Sequence, residues 1–172
     1  MASLSITNFI PPVVNVPAAR LNIEGFRFSA TPTSTDTDAW DIWRRNFLDG
    51  DSDLTHKGAL ICGSAPVLIW PGMDGMAEIT VEDPSQVIIA YEPGSRRKRR
   101  AALKRWIGDD GLTYATVYMP DFIYKFRTVK RTESGLVIPG HEGKRERWVA
   151  RDTPGEPWPL PNPTGVVPFV EV

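Results

Sequence analysis

The sequence has one cysteine, Cys62, and two histidines, His56 and His141, in 172 residues. A lone thiol excludes an internal disulfide and any cysteine-based metal cluster, and it fits synthesis in a reducing cytoplasm. Neither histidine has a second histidine or a cysteine at ligand spacing, so no metal and no cofactor is expected. No apolar run approaches the roughly 18 residues needed to span a bilayer, and no membrane partner is expected. The opening Met1-Ala2-Ser3-Leu4-Ser5-Ile6-Thr7-Asn8-Phe9 has neither the basic start nor the apolar stretch of a secretory signal. An excess of one charge is lacking too: 20 Lys and Arg against 21 Asp and Glu give a formal net charge of -1. That balance excludes a chain coated in nucleic-acid-binding charge, so any such contact must be local. Hydrophobic residues at 41% and charged residues at 24% are near globular averages, and the length suits one domain.

Proline and glycine, by contrast, are plentiful, at 16 and 14. Such punctuation favours many short elements and disfavours an all-helical bundle. Residues 1–35 read as an extended, proline-interrupted segment with a short strand at Leu21–Phe28, where apolar and polar residues alternate. A Ser/Thr/Asp-rich loop follows, and Asp36 or Thr37 can cap a helix. Trp40, Trp43, Phe47, Leu54, Gly58 and Ile61 are spaced to share one helical face across residues 36–63. Gly50, inside Asp49-Gly50-Asp51-Ser52-Asp53, predicts a break into two helices, and Gly63 a stop.

From residue 65 onward short runs alternate with turns. Val67–Trp70 and Glu78–Val81 read as a hairpin, and Gln86–Tyr91, Arg99–Ile107, Leu112–Tyr118 and Phe122–Arg127 as an antiparallel meander. In Arg99–Ile107 alternation is weak and Ala101-Ala102-Leu103 favours helix, but the Gly108–Gly111 reverse turn tips it to a strand. After Thr132, with Gly135, Pro139, Gly140 and Gly143 closely spaced, only Arg147–Val149 is strand-like. The proline-rich Pro154–Pro163 should be extended, with Trp158 as a packed anchor. The expected fold class is α+β: residues 36–172 form one domain, a helical part 36–63 and a β-rich part 65–172. In it a helix or helix pair packs on a mostly antiparallel sheet that curls towards a small barrel. Trp40, Trp43, Phe47, Trp70 and Trp106 are the expected core. The apolar Val166–Val172, with no polar tail behind it, suggests a cut through something longer.

Catalytic chemistry finds no residues. Asp49–Asp53 opens like a calcium loop, but Leu54 stands where glycine is required and Leu60 where the bidentate glutamate belongs. Cys62, between Ile61 and Gly63, reads as a buried small hydrophobe. There is no Gly-x-Ser-x-Gly elbow and no phosphate-binding glycine loop. The strongest electrostatic feature is Arg96, Arg97, Lys98, Arg99 and Arg100, with Lys104 and Arg105. Such density is relieved by solvent, by acidic groups of another subunit, or by phosphate backbone, in which case double-stranded DNA is the partner. The alternative function this allows is a small nucleic-acid-binding module. It lacks interleaved aromatics, so base stacking is not supported.

Read whole, residues 25–170 resemble the N-terminal wing region of portal proteins of tailed phages, in particular long-tailed phages of actinobacteria. The residues that carry the resemblance are Leu21–Arg27, Ala39-Trp40-Asp41-Ile42-Trp43, Asp49–Leu54 and Val67-Leu68-Ile69-Trp70-Pro71. Further along they are Ile79–Pro84, Arg100–Trp106, Tyr114–Asp121 and Pro157–Pro168, in that order. The resemblance implies a structural, non-enzymatic virion protein at the portal vertex, made in the host cytoplasm. It implies a homo-oligomeric ring of about twelve subunits with closed cyclic symmetry, taking part in capsid assembly and DNA packaging. The implied partners are the packaging motor large subunit, the major capsid or scaffolding protein, and the tail connector. It also implies that the chain covers the wing and is truncated before stem, clip and crown, and that residues 100–106 are a strand.

Overall fold

The computed structural model describes residues 10–27, 37–95, 97–129 and 147–172. Arg96, His141, the Asp36 cap and the stretch around Gly135–Gly143 lie outside the described residues. The elements in order are α1 (Ile10–Ala18), α2 (Thr37–Arg45), α3 (Leu48–Cys62), β1 (Pro66–Pro71), β2 (Ala77–Val81), β3 (Val87–Tyr91), β4 (Arg99–Ile107), β5 (Thr113–Tyr118), β6 (Phe122–Thr128), β7 (Trp148–Ala150), β8 (Leu160–Pro161) and β9 (Phe169–Glu171). The class is α+β, as expected. The chain divides into two units, Met1–Pro84 with Val170–Val172, and Ser85–Phe169.

In the first unit, the proline-interrupted N-terminal stretch is helical rather than extended. Pro11 and Pro12 fall in the first turn of α1, where a backbone N–H has no intrahelical acceptor and its loss costs no bond. Val14 and Ala18, four residues apart on one face, are buried, and α1 lies against α3. Residues 21–27 form no strand. Instead the Phe26 ring packs on Trp40 and Trp43, with centroids 5.9 and 5.6 Å away.

Two helices do form between residues 37 and 62, but the break is at Asn46–Phe47, not at Gly50. Phe47 takes the left-handed conformation (φ 55) and is 80% exposed, so it is not core. Asp49 and Asp51 fall in the first turn of α3, where the helix dipole favours carboxylates, so the acidic stretch that predicted a break starts a helix. The break also resets the helical phase, which leaves Leu54 and Ile61 exposed, away from the face expected for them. Trp40 and Trp43 stack on each other at 6.1 Å and stay half-buried. Asn46 ties the helix pair to the edge strand β2: its Nδ2 donates to Ala77 O at 3.0 Å and its Oδ1 accepts from Ile79 N at 2.8 Å.

Gly63 ends α3 as expected, with φ 86 and its N–H donating to Ala59 O at 2.9 Å. Nothing would touch an added Cβ there, so Gly63→Ala tests backbone conformation alone. The expected loss is about 1 kcal/mol, read as a lower melting temperature. β1 and β2 form the expected hairpin, in register from Val67↔Val81 to Pro71↔Ala77. The third strand of this sheet is β9: Ala65 and Val172 exchange both backbone bonds, at 2.9 and 3.0 Å, the pattern of an antiparallel pair.

The second unit is the meander, with strand order β3-β4-β5-β6-β7 and β8 beside the start of β6. Central β5 is buried on both faces, at Thr113, Ala115 and Thr116. The sheet is open, not the small barrel expected. The strands at its far edge, β7 and β8, have three and two residues, too short to carry the continuous pairing that closure requires. Trp158 holds the C-terminal segment to the sheet, with its ring edge-on to Tyr124 and Phe126 and its indole N–H donating to Lys125 O at 3.1 Å, but the side chain is exposed rather than packed away as expected. Trp70 and Trp106 are half-buried. Among the described residues the largest fully buried side chains are instead Phe169 and Ile123.

Candidate functional site

The basic stretch sits on the β3–β4 hairpin. Gly94 supplies a positive φ of 79, and Ser95 Oγ accepts from the N–H groups of Arg97 and Lys98, at 3.2 and 3.0 Å, which fixes the turn. Pairing runs Ala90↔Ala101 and then Tyr91↔Arg99, so Arg100 is the extra residue of a β-bulge. That irregularity separates the cations. Arg99 turns inward and its guanidinium donates to the Phe169 carbonyl. Arg97 and Arg100 stay exposed, without a side-chain partner among the described residues, and Lys98 Nζ stands 3.8 Å from Glu92.

Lys104 and Arg105, adjacent on a regular strand, point to opposite faces. Lys104 Nζ lies 5.7 Å from the Trp106 ring centroid, a cation–π contact. The described cations therefore do not form one patch: Arg97, Lys98 and Arg100 are exposed at the hairpin tip and Arg105 further along β4, while Arg99 and Lys104 are half-buried.

A second cluster escaped the sequence reading. Trp106 and Tyr114 are directly paired across β4 and β5, and their rings stack at 5.5 Å. The Arg151 guanidinium spans both rings, at 5.5 and 5.4 Å. Two aromatics placed symmetrically about the Gly108–Gly111 turn were the available signal, since a tight turn puts such residues opposite each other. Tyr114 Oη donates to Asp110 Oδ2 at 2.7 Å, and this bond raises the phenol's pKa above its usual value. Asp110→Asn should bring the Tyr114 titration back down, as followed by ultraviolet absorbance. The folded pKa is raised, so the bond's contribution is complete below the unfolded phenol value and is lost as pH rises through the folded one. Across the unit, Lys125 Nζ donates to Glu156 at 2.6 Å and lowers that carboxyl's pKa.

Among the described residues no group of three or more His, Cys, Asp or Glu could hold a metal ion. Asp49 accepts from the Trp43 indole at 2.8 Å and Asp53 pairs with Lys57 at 2.5 Å, so two of the three carboxylates of the acidic stretch are engaged within the helices. Cys62 is exposed at the end of α3, not buried. No helix is long and apolar enough to cross a membrane among the described residues.

These clusters offer surfaces and cross-strand ties rather than a nucleophile with its base. A search of curated proteins found no match. The family model described as phage portal protein, SPP1 Gp6-like, matches residues 2–172, which is essentially the whole chain. The chain belongs to this family of phage portal proteins, structural components of the virion.

Proposed function

We propose that this chain is the wing part of a portal of a long-tailed phage infecting actinobacteria, with residues 36–172 as the wing-like domain. It is made in the host cytoplasm and takes its place in a homo-oligomeric ring at one capsid vertex. There it contributes to capsid assembly and to DNA packaging and passage. Its neighbours are the packaging motor, the major capsid or scaffolding protein and the tail connector. The role is structural and not catalytic. The observation that carries this reading is the family match over residues 2–172.

Antibody labelling of phage heads from the cell that encodes the chain tests it by electron microscopy. Label at a single vertex per head is expected. Label spread over the shell, or heads without label, would overturn the proposal.

A further inference from the structure

The net charge of -1 conceals a segregation. The sequence ranges of the first unit hold 12 acidic and 5 basic residues, a net charge of -7, whereas Ser85–Phe169 holds 9 acidic and 15 basic residues, a net charge of +6. Each unit therefore repels its own kind in another copy and attracts the opposite one. The excess is displayed at identifiable places. On the first unit, Asp38 and Asp41 are exposed on α2, whose Arg44 lies over the Trp40 ring and whose Arg45 pairs with Asp74. Asp51 is half-buried in the first turn of α3, and the three carboxylates have no side-chain partner among the described residues. On the second unit the corresponding cations are Arg97 and Arg100 at the hairpin tip.

We propose that the hairpin tip of one copy docks on the α2–α3 acidic surface of a second copy, with Arg97 and Arg100 facing Asp38, Asp41 and Asp51. The inference rests on the ring reading above and names the charges that join neighbours. Because the two patches differ, the contact is heterologous. Each copy uses one patch towards each side, the geometry that closes into rings or runs on as filaments. Duplex DNA is the poorer occupant. Arg99 is turned onto the Phe169 carbonyl and Lys104 onto Trp106, which takes two cations of β4 out of a row that could track a phosphate backbone, and the -7 unit repels a polyanion. Exposed pairs of this kind set register and encounter rate, and salt screens them.

Sedimentation velocity of the 172-residue chain tests the contact. Concentration-dependent association is expected at low salt, weakened about tenfold or more at roughly 0.5 M salt, where the screening length is short. Chains carrying Asp38→Lys with Asp41→Lys, or Arg97→Glu with Arg100→Glu, should each associate about tenfold more weakly alone, and an equimolar mixture of the two should recover. Thermal melts check that each is folded, and the pairs Asp38→Asn with Asp41→Asn and Arg97→Gln with Arg100→Gln stand in for any reversal that is not. A wild-type monomer at low salt, association indifferent to salt, or folded reversed chains that fail to recover on mixing would overturn the inference. So would binding of a DNA duplex that depends on Arg97 and Arg100 while self-association does not. None of these results bears on the head labelling, whose outcome decides the portal reading separately.

Discussion

Phe169→Ala is expected to cost about 3–5 kcal/mol, enough to unfold much of a marginal domain, and to show as a large fall in melting temperature. Phe169 is fully buried, with its ring edge-on to Tyr118 at a centroid distance of 5.1 Å, and its carbonyl accepts from the Arg99 guanidinium. Truncation removes the apolar area of a whole ring, and because protein interiors are close-packed the surroundings refill that space only in part. Phe169→Leu keeps much of the volume and should lose less than half as much. Trp40→Ala is the useful contrast. Trp40 is half-buried, with its ring against Trp43 and Phe26 and the Arg44 guanidinium 5.6 Å from its centroid, so about 1–2 kcal/mol is at stake. If Trp40→Ala lowers stability more than Phe169→Ala, the core has been placed wrongly.

That contrast also marks where the sequence was readable. Strands β1 to β6 fall where alternation and turn residues put them, because an antiparallel hairpin is encoded by neighbouring runs and the turn between them. Gly63 stops α3 for a reason internal to glycine, its freedom at positive φ. What failed depended on partners far along the chain. Size and hydrophobicity singled out the tryptophans, but burial followed topology, and the position next to β1 was filled by the C-terminal β9. Leu21–Arg27 has the alternation of a strand without any strand to pair with it among the described residues, and α1 was masked by its prolines, of which Pro11 and Pro12 are tolerated by the first turn and Pro17 lies inside the helix. The candidate site was half legible. Cation density located the hairpin tip, but the bulge that separates Arg99 from Arg100 is a property of the β3–β4 pairing and leaves no local signature.

Asn162→Ala should cost about 2–3 kcal/mol, although it removes little apolar surface. Asn162 is 8% exposed and all of its side-chain hydrogen-bonding capacity is used. Nδ2 donates to Met119 O at 2.7 Å and Val166 O at 2.8 Å, while Oδ1 accepts from Thr164 N at 3.0 Å and lies 2.7 Å from the Thr164 hydroxyl. One amide thus ties the β5–β6 turn to the turn that precedes Val167 and Phe169, both buried. Truncation leaves the Met119 and Val166 carbonyls and the Thr164 N–H without their partner at a part-buried site. Asn162→Asp separates this account from loss of shape, because the substitution is nearly isosteric yet a carboxylate cannot donate. At neutral pH it should set a charge against two carbonyl oxygens and destabilise at least as much as alanine. Protonation restores one donor, so the folded-state pKa of the introduced carboxyl is raised. The recovered stability is then complete below its unfolded value and lost as pH rises through the folded one. Melting temperatures of this variant and the wild type, compared between about pH 3 and pH 7, should converge at the acid end. A gap that does not change with pH, or no gap at pH 7, would exclude the double donation to Met119 and Val166 as the source of the stability.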